Sequence, residues 1–202
     1  MALNANALVT LALAKSYLKI PALETSQDSI VEFFINAASD YIESEIDRKI
    51  KSQTITEYQH GRASNILVLK QYPVTAISSF ATDSAGKFTG SETIVDPAEY
   101  TIGDDGNSLI SLGSFFPKGY NNLKIVYTAG YATVPSDIQN ACLWLVVYYH
   151  KMRENGDIGR TSKGKGDESV NILQEAPMEV KNMFSRYRRL DVPLSNAMTR
   201  NG

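Results

Sequence analysis

Leu123-Lys124-Ile125-Val126-Tyr127-Thr128-Ala129-Gly130-Tyr131-Ala132-Thr133-Val134-Pro135-Ser136-Asp137-Ile138 opens the stretch that decides the fold, and Gln139 to Arg153 completes it. Its first six residues put apolar and polar side chains on alternate faces, the period of a half-buried strand. Ala129-Gly130 breaks the strand, and Pro135 and Ser136 restart the chain as a helix. From Ile138 to Arg153 that helix is apolar on nearly every side, with Ala141, Cys142, Leu143, Trp144, Leu145, Val146, Val147, Tyr148 and Tyr149 in succession. A helix lying on a single core needs only an apolar stripe. This one is expected at the centre of its domain and in contact with a neighbouring subunit, with Trp144, Leu145 and Tyr148 as core or subunit-interface residues.

Upstream, Ile30, Phe33, Phe34, Ala37, Ala38, Tyr41, Ile42 and Ile46 recur three and four apart, and predict a long amphipathic helix with acidic residues opposite. Ser26 is placed to cap it. Leu8 to Leu18 predicts a shorter first helix with Thr10 as cap, stopped before Pro21. From Gln53 the period changes to two. Thr54–Tyr58, Ile66–Leu69 and Val74–Phe80 read as strands, and Tyr100–Ile102 and Leu109–Leu112 flank a turn at Asp104-Asp105-Gly106-Asn107. Asp83-Ser84-Ala85-Gly86 is a second turn sequence.

The expected fold class is α+β, a bundle of about four helices with an antiparallel β-rich insertion between the second and third main helices. Residues 1–52 with 132–190 form the discontinuous helical domain and 53–131 the insertion. Residues 154–171, rich in glycine and poor in apolar side chains, read as a mobile loop with a basic centre at Arg160, Lys163 and Lys165. Pro177 starts a last helix with an apolar stripe of Val180, Met183, Phe184, Tyr187 and Leu190, and 191–202 is an extended tail.

The 202 residues carry a net charge of −2, with 43% hydrophobic residues, enough for a core. Residues 1–150 hold 10 basic and 15 acidic residues, and 151–202 hold 10 and 7, so a basic end follows an acidic body. No apolar run reaches the roughly 18 residues of a membrane span. Ala7–Ala14 makes a poor signal peptide, being short and lacking a basic lead. A single cysteine, Cys142, excludes an intrachain disulfide and reads as a small buried apolar residue.

Chemistry is hard to find. Gly159-Arg160-Thr161-Ser162-Lys163-Gly164-Lys165-Gly166 has phosphate-loop spacing, but Gly166 stands where magnesium needs Ser or Thr. His60, His150 and Cys142 are too few for a His/Cys zinc site. Asp104 and Asp105 belong to a hairpin tip, and no Gly-x-Ser-x-Gly turn occurs. No catalytic, cofactor-binding or metal-binding residue is assigned.

The order of elements resembles the head–tail connector proteins of tailed bacteriophages, also called adaptor or head-completion proteins, in their longer branch with a β-rich insertion. The resemblance rests on Val9-Thr10-Leu11-Ala12-Leu13-Ala14-Lys15-Ser16-Tyr17-Leu18 before the long second helix, and on Tyr72-Pro73-Val74-Thr75-Ala76-Ile77-Ser78-Ser79. It continues through Val126-Tyr127-Thr128-Ala129-Gly130-Tyr131 to Val134-Pro135-Ser136-Asp137-Ile138, which opens the apolar helix ending in Met152-Arg153-Glu154. It implies a non-enzymatic virion protein, made in the bacterial cytoplasm and sited in the virion neck. The implied assembly is a twelvefold ring beneath the portal, extending the DNA channel and carrying the next stopper or tail-terminator protein. Nonspecific duplex DNA in the lumen is a further implied partner, with no membrane and no cofactor. Phe184, Arg186, Tyr187, Arg188 and Arg189 are the expected portal or subunit contacts. A small enzyme with an unseen site and a different neck or tail-completion protein are the two other readings.

Overall fold

The computed structural model describes residues 2–155, 162–165, 168–171 and 178–188. Among these, four α-helices and three antiparallel sheets make an α+β fold. The described chain divides into two units, Met1–Ser52 with Tyr131–Arg188, and Gln53–Gly130.

The first unit is helical. Helix α1 (Leu11–Tyr17) begins where the Thr10 hydroxyl accepts the Leu13 amide at 3.2 Å, the cap its sequence predicts. In the last turn of α1, the buried Lys15 ammonium donates to the Ala22 carbonyl at 3.1 Å and to Asp28 at 2.7 Å. A buried ammonium must find such acceptors, and here they tie the loop to the start of α2 (Asp28–Ile46). The N-cap of α2 is Gln27, with no side-chain cap bond among the described residues. Ser26 does not cap it; its amide instead donates to the Glu24 carboxylate at 2.9 Å.

The buried side of α2 is turned from the expected stripe. Val31, Phe34, Ile35, Ala38, Ile42 and Ile46 are buried, while Phe33 is 48% exposed. Both sets obey the helical period, and Val31 and Ile35 centre the face that the other helices cover. At its C-terminal end α2 stops in a left-handed Asp47 (φ 53°). The buried Glu43 carboxylate then receives the Ile50 amide at 3.2 Å, the Asn6 side chain at 3.0 Å and Lys49 at 2.7 Å.

Helix α3 (Ser136–Asn155) packs on α1, α2 and α4 (Met178–Ser185), and buries Ile138, Ala141, Cys142, Leu145 and Val146. Leu145 is core, as expected. Trp144 is not: its side chain is 39% exposed, on the arc of α3 that these neighbours leave uncovered. An all-round apolar helix therefore keeps one apolar side outside its own unit. Val180 and Phe184 are the buried residues of α4, and Phe184 meets Tyr41 of α2 edge-on at 6.5 Å.

The second unit is two antiparallel sheets around one core. Strands β1 (Gln53–Gly61), β7 (Gly119–Ala129), β3 (Val74–Thr82) and β4 (Thr93–Ile94) form one sheet in that order. Strands β2 (Ile66–Val68), β6 (Ser108–Ser111) and β5 (Tyr100–Ile102) form the other. Alternation holds in β7: Leu123, Ile125, Tyr127 and Ala129 are buried, while Lys124, Val126 and Thr128 are not. Phe80 lies in this core with Tyr100 and Phe116 edge-on to it at 5.6 and 5.4 Å. A charge enters it at Glu57. The buried Glu57 carboxylate accepts the Tyr127 hydroxyl at 2.6 Å and the Lys70 amide at 3.1 Å, so it joins β1, β7 and the chain after β2.

Residues 154–171 differ from the loop expected there. Glu154 and Asn155 belong to α3, and β8 (Ser162–Lys165) pairs antiparallel with β9 (Glu168–Asn171). Gly166-Asp167, between the paired strands, is a dipeptide type that favours tight hairpins, a signal outweighed in the sequence by the low apolar content. Arg160, Arg189 and the tail 191–202 lie outside the described residues.

Candidate functional site

The residues most suggestive of chemistry are spent on structure. Asp105 accepts the Asn107 amide at 3.1 Å and both the amide and hydroxyl of Ser108, at 3.2 and 2.8 Å. Partial burial opposes its ionisation, but these bonds outweigh it and hold the carboxyl below its ordinary value. Gly106, at φ 65°, turns the chain between β5 and β6. Asp104 and Asp105 are thus the hairpin tip of β5–β6.

His60 accepts the Asn121 amide on Nδ1 at 2.7 Å and stacks on Tyr120 with ring centres 4.4 Å apart. His150 lies between the two main helices, with Nε2 3.2 Å from Gln27 and Nδ1 3.3 Å from Glu154. Cys142 is buried beside the Ser39 hydroxyl, and burial pushes its thiol up to about 12, too high for a reactive thiolate at neutral pH. Among the described residues no group of three His, Cys, Asp or Glu side chains could hold a metal ion. Lys163 and Lys165 sit in strand β8, paired with Val170 and Glu168, whereas a phosphate loop leads from a strand into a helix. A hollow beside α1, lined by Leu11, Lys15, Ile20 and Asp28, has its ammonium and carboxylate already paired to each other.

Two surfaces remain. The first is the open side of α3, where Trp144 is exposed and Tyr148 half-buried, its ring 5.8 Å from that of Tyr149. Leu145, expected with them, faces inward.

The second is the end of α4, and here the structure sorts the five expected contact residues. Phe184 is only 3% exposed, so it anchors α4 to its own unit and is not an apolar contact for a partner. The Tyr187 hydroxyl donates to Asp137 at 2.9 Å, its carbonyl accepts from Arg48 at 3.3 Å, and its ring meets Tyr131 edge-on at 6.0 Å. Arg186 forms an ion pair with the same Asp137. Arg188 is exposed. Asp137, in the first turn of α3, therefore fixes where the chain leaves α4. Sequence reading missed it because its partners lie about fifty residues away.

Among the described residues no reactive site is assembled, and the central helix of the helical unit carries aromatic surface, the features of a component that is incomplete alone. Residues 7–190 match the family described as head completion protein. None of the curated proteins compared matches the chain. Among solved structures, the chain is similar to one from the neck of an empty gene transfer agent particle, computed with C6 symmetry, at 19% identity and a TM-score of 0.67, covering 96% of both chains. Similar folds occur in the virion of a native gene transfer agent particle (19% identity, TM-score 0.64, 96% of both chains). They occur too in a native particle neck computed with C12 symmetry (20% identity, TM-score 0.63, 96% of this chain and 99% of the other). With the match running from the first helix past the end of α4, the chain belongs to the head completion protein family.

Proposed function

We propose that this protein is a non-enzymatic structural component of a virion neck. It is a subunit of a ring beneath the portal, which extends the DNA channel and presents the attachment surface for the next neck or tail protein. Family membership supports the head-completion role. The symmetric necks that contain similar folds support repeated copies around an axis.

The observation that carries the ring is Trp144. Truncating or hiding a large aromatic is easy within one chain, yet this one stays 39% exposed on a helix whose next residue, Leu145, is fully buried. An exposed tryptophan beside a half-buried tyrosine is the amphipathic surface that a neighbouring subunit covers. Trp144 and Tyr148 thus serve the contact between copies. In a closed ring each copy offers this face to a different face of the next.

The portal contact belongs to the chain leaving α4. Arg188, with Arg189 and 191–202 beyond it in sequence, supplies the basic end, while Phe184 and Tyr187 hold its root to the helical unit. Electron microscopy of negatively stained protein mixed with its portal tests the reading. Rings on the portal are expected, and portals that stay bare at saturating protein would sink it.

A further inference from the structure

The helical unit carries a second uncharged surface, on α1. The first fourteen residues hold no charge, in a chain with 21% charged residues, and the first that does, Lys15, is turned inward and 4% exposed. A lysine on a short helix ordinarily keeps its ammonium in water. Here the ammonium donates to the carbonyls of Ala22 and Glu24 and to Asp28, and the residues that α1 leaves exposed are Ala12, Leu13, Ser16 and Tyr17. Leu13 and Tyr17 are 39% and 45% exposed and lie one turn apart. The same three bonds draw residues 22–28 against α1, and beside the helix they leave an open hollow.

The hollow measures about 380 Å³, within the roughly 300–1,000 Å³ of pockets that enclose a ligand-sized group. Leu11, Ala12, Ile20 and Ala22 give it apolar walls, and the Lys15–Asp28 pair lies among them. Asp28 accepts Lys15 on Oδ1, and among the described residues its Oδ2 has no partner. An apolar hollow with one carboxylate oxygen to spare fits a flat apolar ring that carries a single N–H donor, which is an indole. The chain has one tryptophan, the exposed Trp144. From Ile138 to Tyr149 its helix has no charged residue, so neither surface brings a charge of its own to the centre of a contact between them.

We propose that the hollow beside α1 receives Trp144 of a neighbouring copy of this chain, the indole filling it and its N–H donating to the Asp28 carboxylate. The choice of a second copy rests on the ring reading above, and it names the face which that reading leaves open. A closed ring joins unlike faces, so the α3 face of one copy has to meet a different face of the next. Phe33 on α2 makes a poorer seat. It is 48% exposed but shares its arc with the exposed Asp40, so a ring pressed there would strip water from a carboxylate. On α1 the inward turn of Lys15 removes that cost. A large aromatic anchored in a pocket, with uncharged residues around it, is how a few side chains come to carry most of an interface.

Cross-linking of the full chain on portal-bound rings tests it. Cys142 is buried, with its thiol pushed up to about 12, so introduced cysteines are the reactive ones. Ser16→Cys places a thiol in the lining of the hollow. Lys151→Cys places one on the Trp144 side of α3, two turns or about 10 Å further along the helix. A bismaleimide that spans two helical turns should give covalent dimers when the two variants are mixed, and a ladder of multimers from the double variant. Either single variant alone should give no dimer. Ala12→Leu with Ser16→Leu fills the hollow from an exposed helix face. It should keep the circular dichroism of the wild type and lose the rings, whereas Ser44→Leu on the exposed side of α2 should keep both. Rings formed with the hollow filled, or rings whose mixed cysteines do not join, would overturn the proposal. Joining of Lys151→Cys to itself would make the α3 face self-complementary, and would overturn it too. Bare portals with the wild-type chain instead bring down the ring reading on which the proposal stands.

Discussion

Strand β7 and helix α3 are the central elements of their units, separated by only six residues, yet they specify their surroundings in opposite ways. In β7 every second residue is polar or half-exposed, so the strand declares which side is core: Leu123, Ile125 and Tyr127 inside, Lys124 and Thr128 outside. In α3 the apolar residues surround the axis, so the helix declares only that much of it will be covered. What covers it is decided by α1, α2 and α4, and they leave Trp144 out. An alternating element is a complete instruction for one chain. An apolar cylinder is an instruction for a chain plus something else.

The strongest way to break this contrast is to cut adjacent residues of α3. Leu145→Ala removes a fully buried side chain and should cost about 2–5 kcal/mol in urea unfolding. Trp144→Ala should cost far less than the ~3–5 kcal/mol of a buried aromatic, while abolishing rings on the portal. A Trp144 variant as unstable as the Leu145 one would place the tryptophan in the core after all.

In the β unit the matching test is its buried charge. Glu57→Ala removes the carboxylate that takes the Tyr127 hydroxyl proton inside the core and the Lys70 amide at its half-buried edge, and should cost about 1–3 kcal/mol, chiefly for the buried hydroxyl proton. Tyr127→Phe added to that variant should recover part of the loss, since it removes that hydroxyl. Unchanged stability of Glu57→Ala would mean that water replaces the carboxylate, and that this core is open there.

A smaller effect is expected at the root of the basic end. Asp137→Asn keeps the shape but discharges the partner of Arg186 and weakens that of Tyr187. Arg186 is mostly exposed and its ion pair is screened by solvent, so the stability change should be small. Hydrogen exchange in 178–188 should nevertheless quicken, with exchange in α2 unchanged. Equal acceleration in both helices would make Asp137 part of the general fold and not a latch for the chain end.

The legible parts of the sequence were those where a local rule and the tertiary fold agree. Thr10 caps α1, and the turns at Asp83 and Asp104–Asn107 form where their residue types favour them. The misread parts depended on partners outside the local window. The stripe chosen on α2 included Ile30 and Phe33, because the period cannot say which of two overlapping apolar faces is covered. Phe184 and Tyr187 read as free anchors, because nothing near them in sequence reveals Tyr41, Tyr131, Arg48 or Asp137. The hairpin of β8 and β9 has almost no apolar signal, and rests on backbone pairing.

Acid offers the gentlest means of separating the two units. In the β unit Asp83, Glu92 and Asp105 all have their carboxyls held below the ordinary range, whereas the corresponding shift in the helical unit is at Glu24. For Asp83 the cause is bonding from the amides of Phe88, Ala85 and Lys87, with burial opposing it. A carboxyl with a depressed folded pKa stabilises the fold above its unfolded value of about 4, and that contribution fades as pH falls through the folded value. Lowering the pH from about 5 to 2 should therefore loosen the turns at 83–88 and 104–108 before α2 and α3. Hydrogen exchange by segment would register this as earlier loss of protection in β3, β5 and β6. Asp83→Asn should unfold with a flatter pH dependence than the wild type below about pH 4, because its side chain has no proton to take up. If the variant and the wild type lose stability in parallel over that range, the Asp83 turn is not a source of acid sensitivity. If the helices lose protection first, the division between a unit fixed by its turns and a unit fixed by its core is wrong.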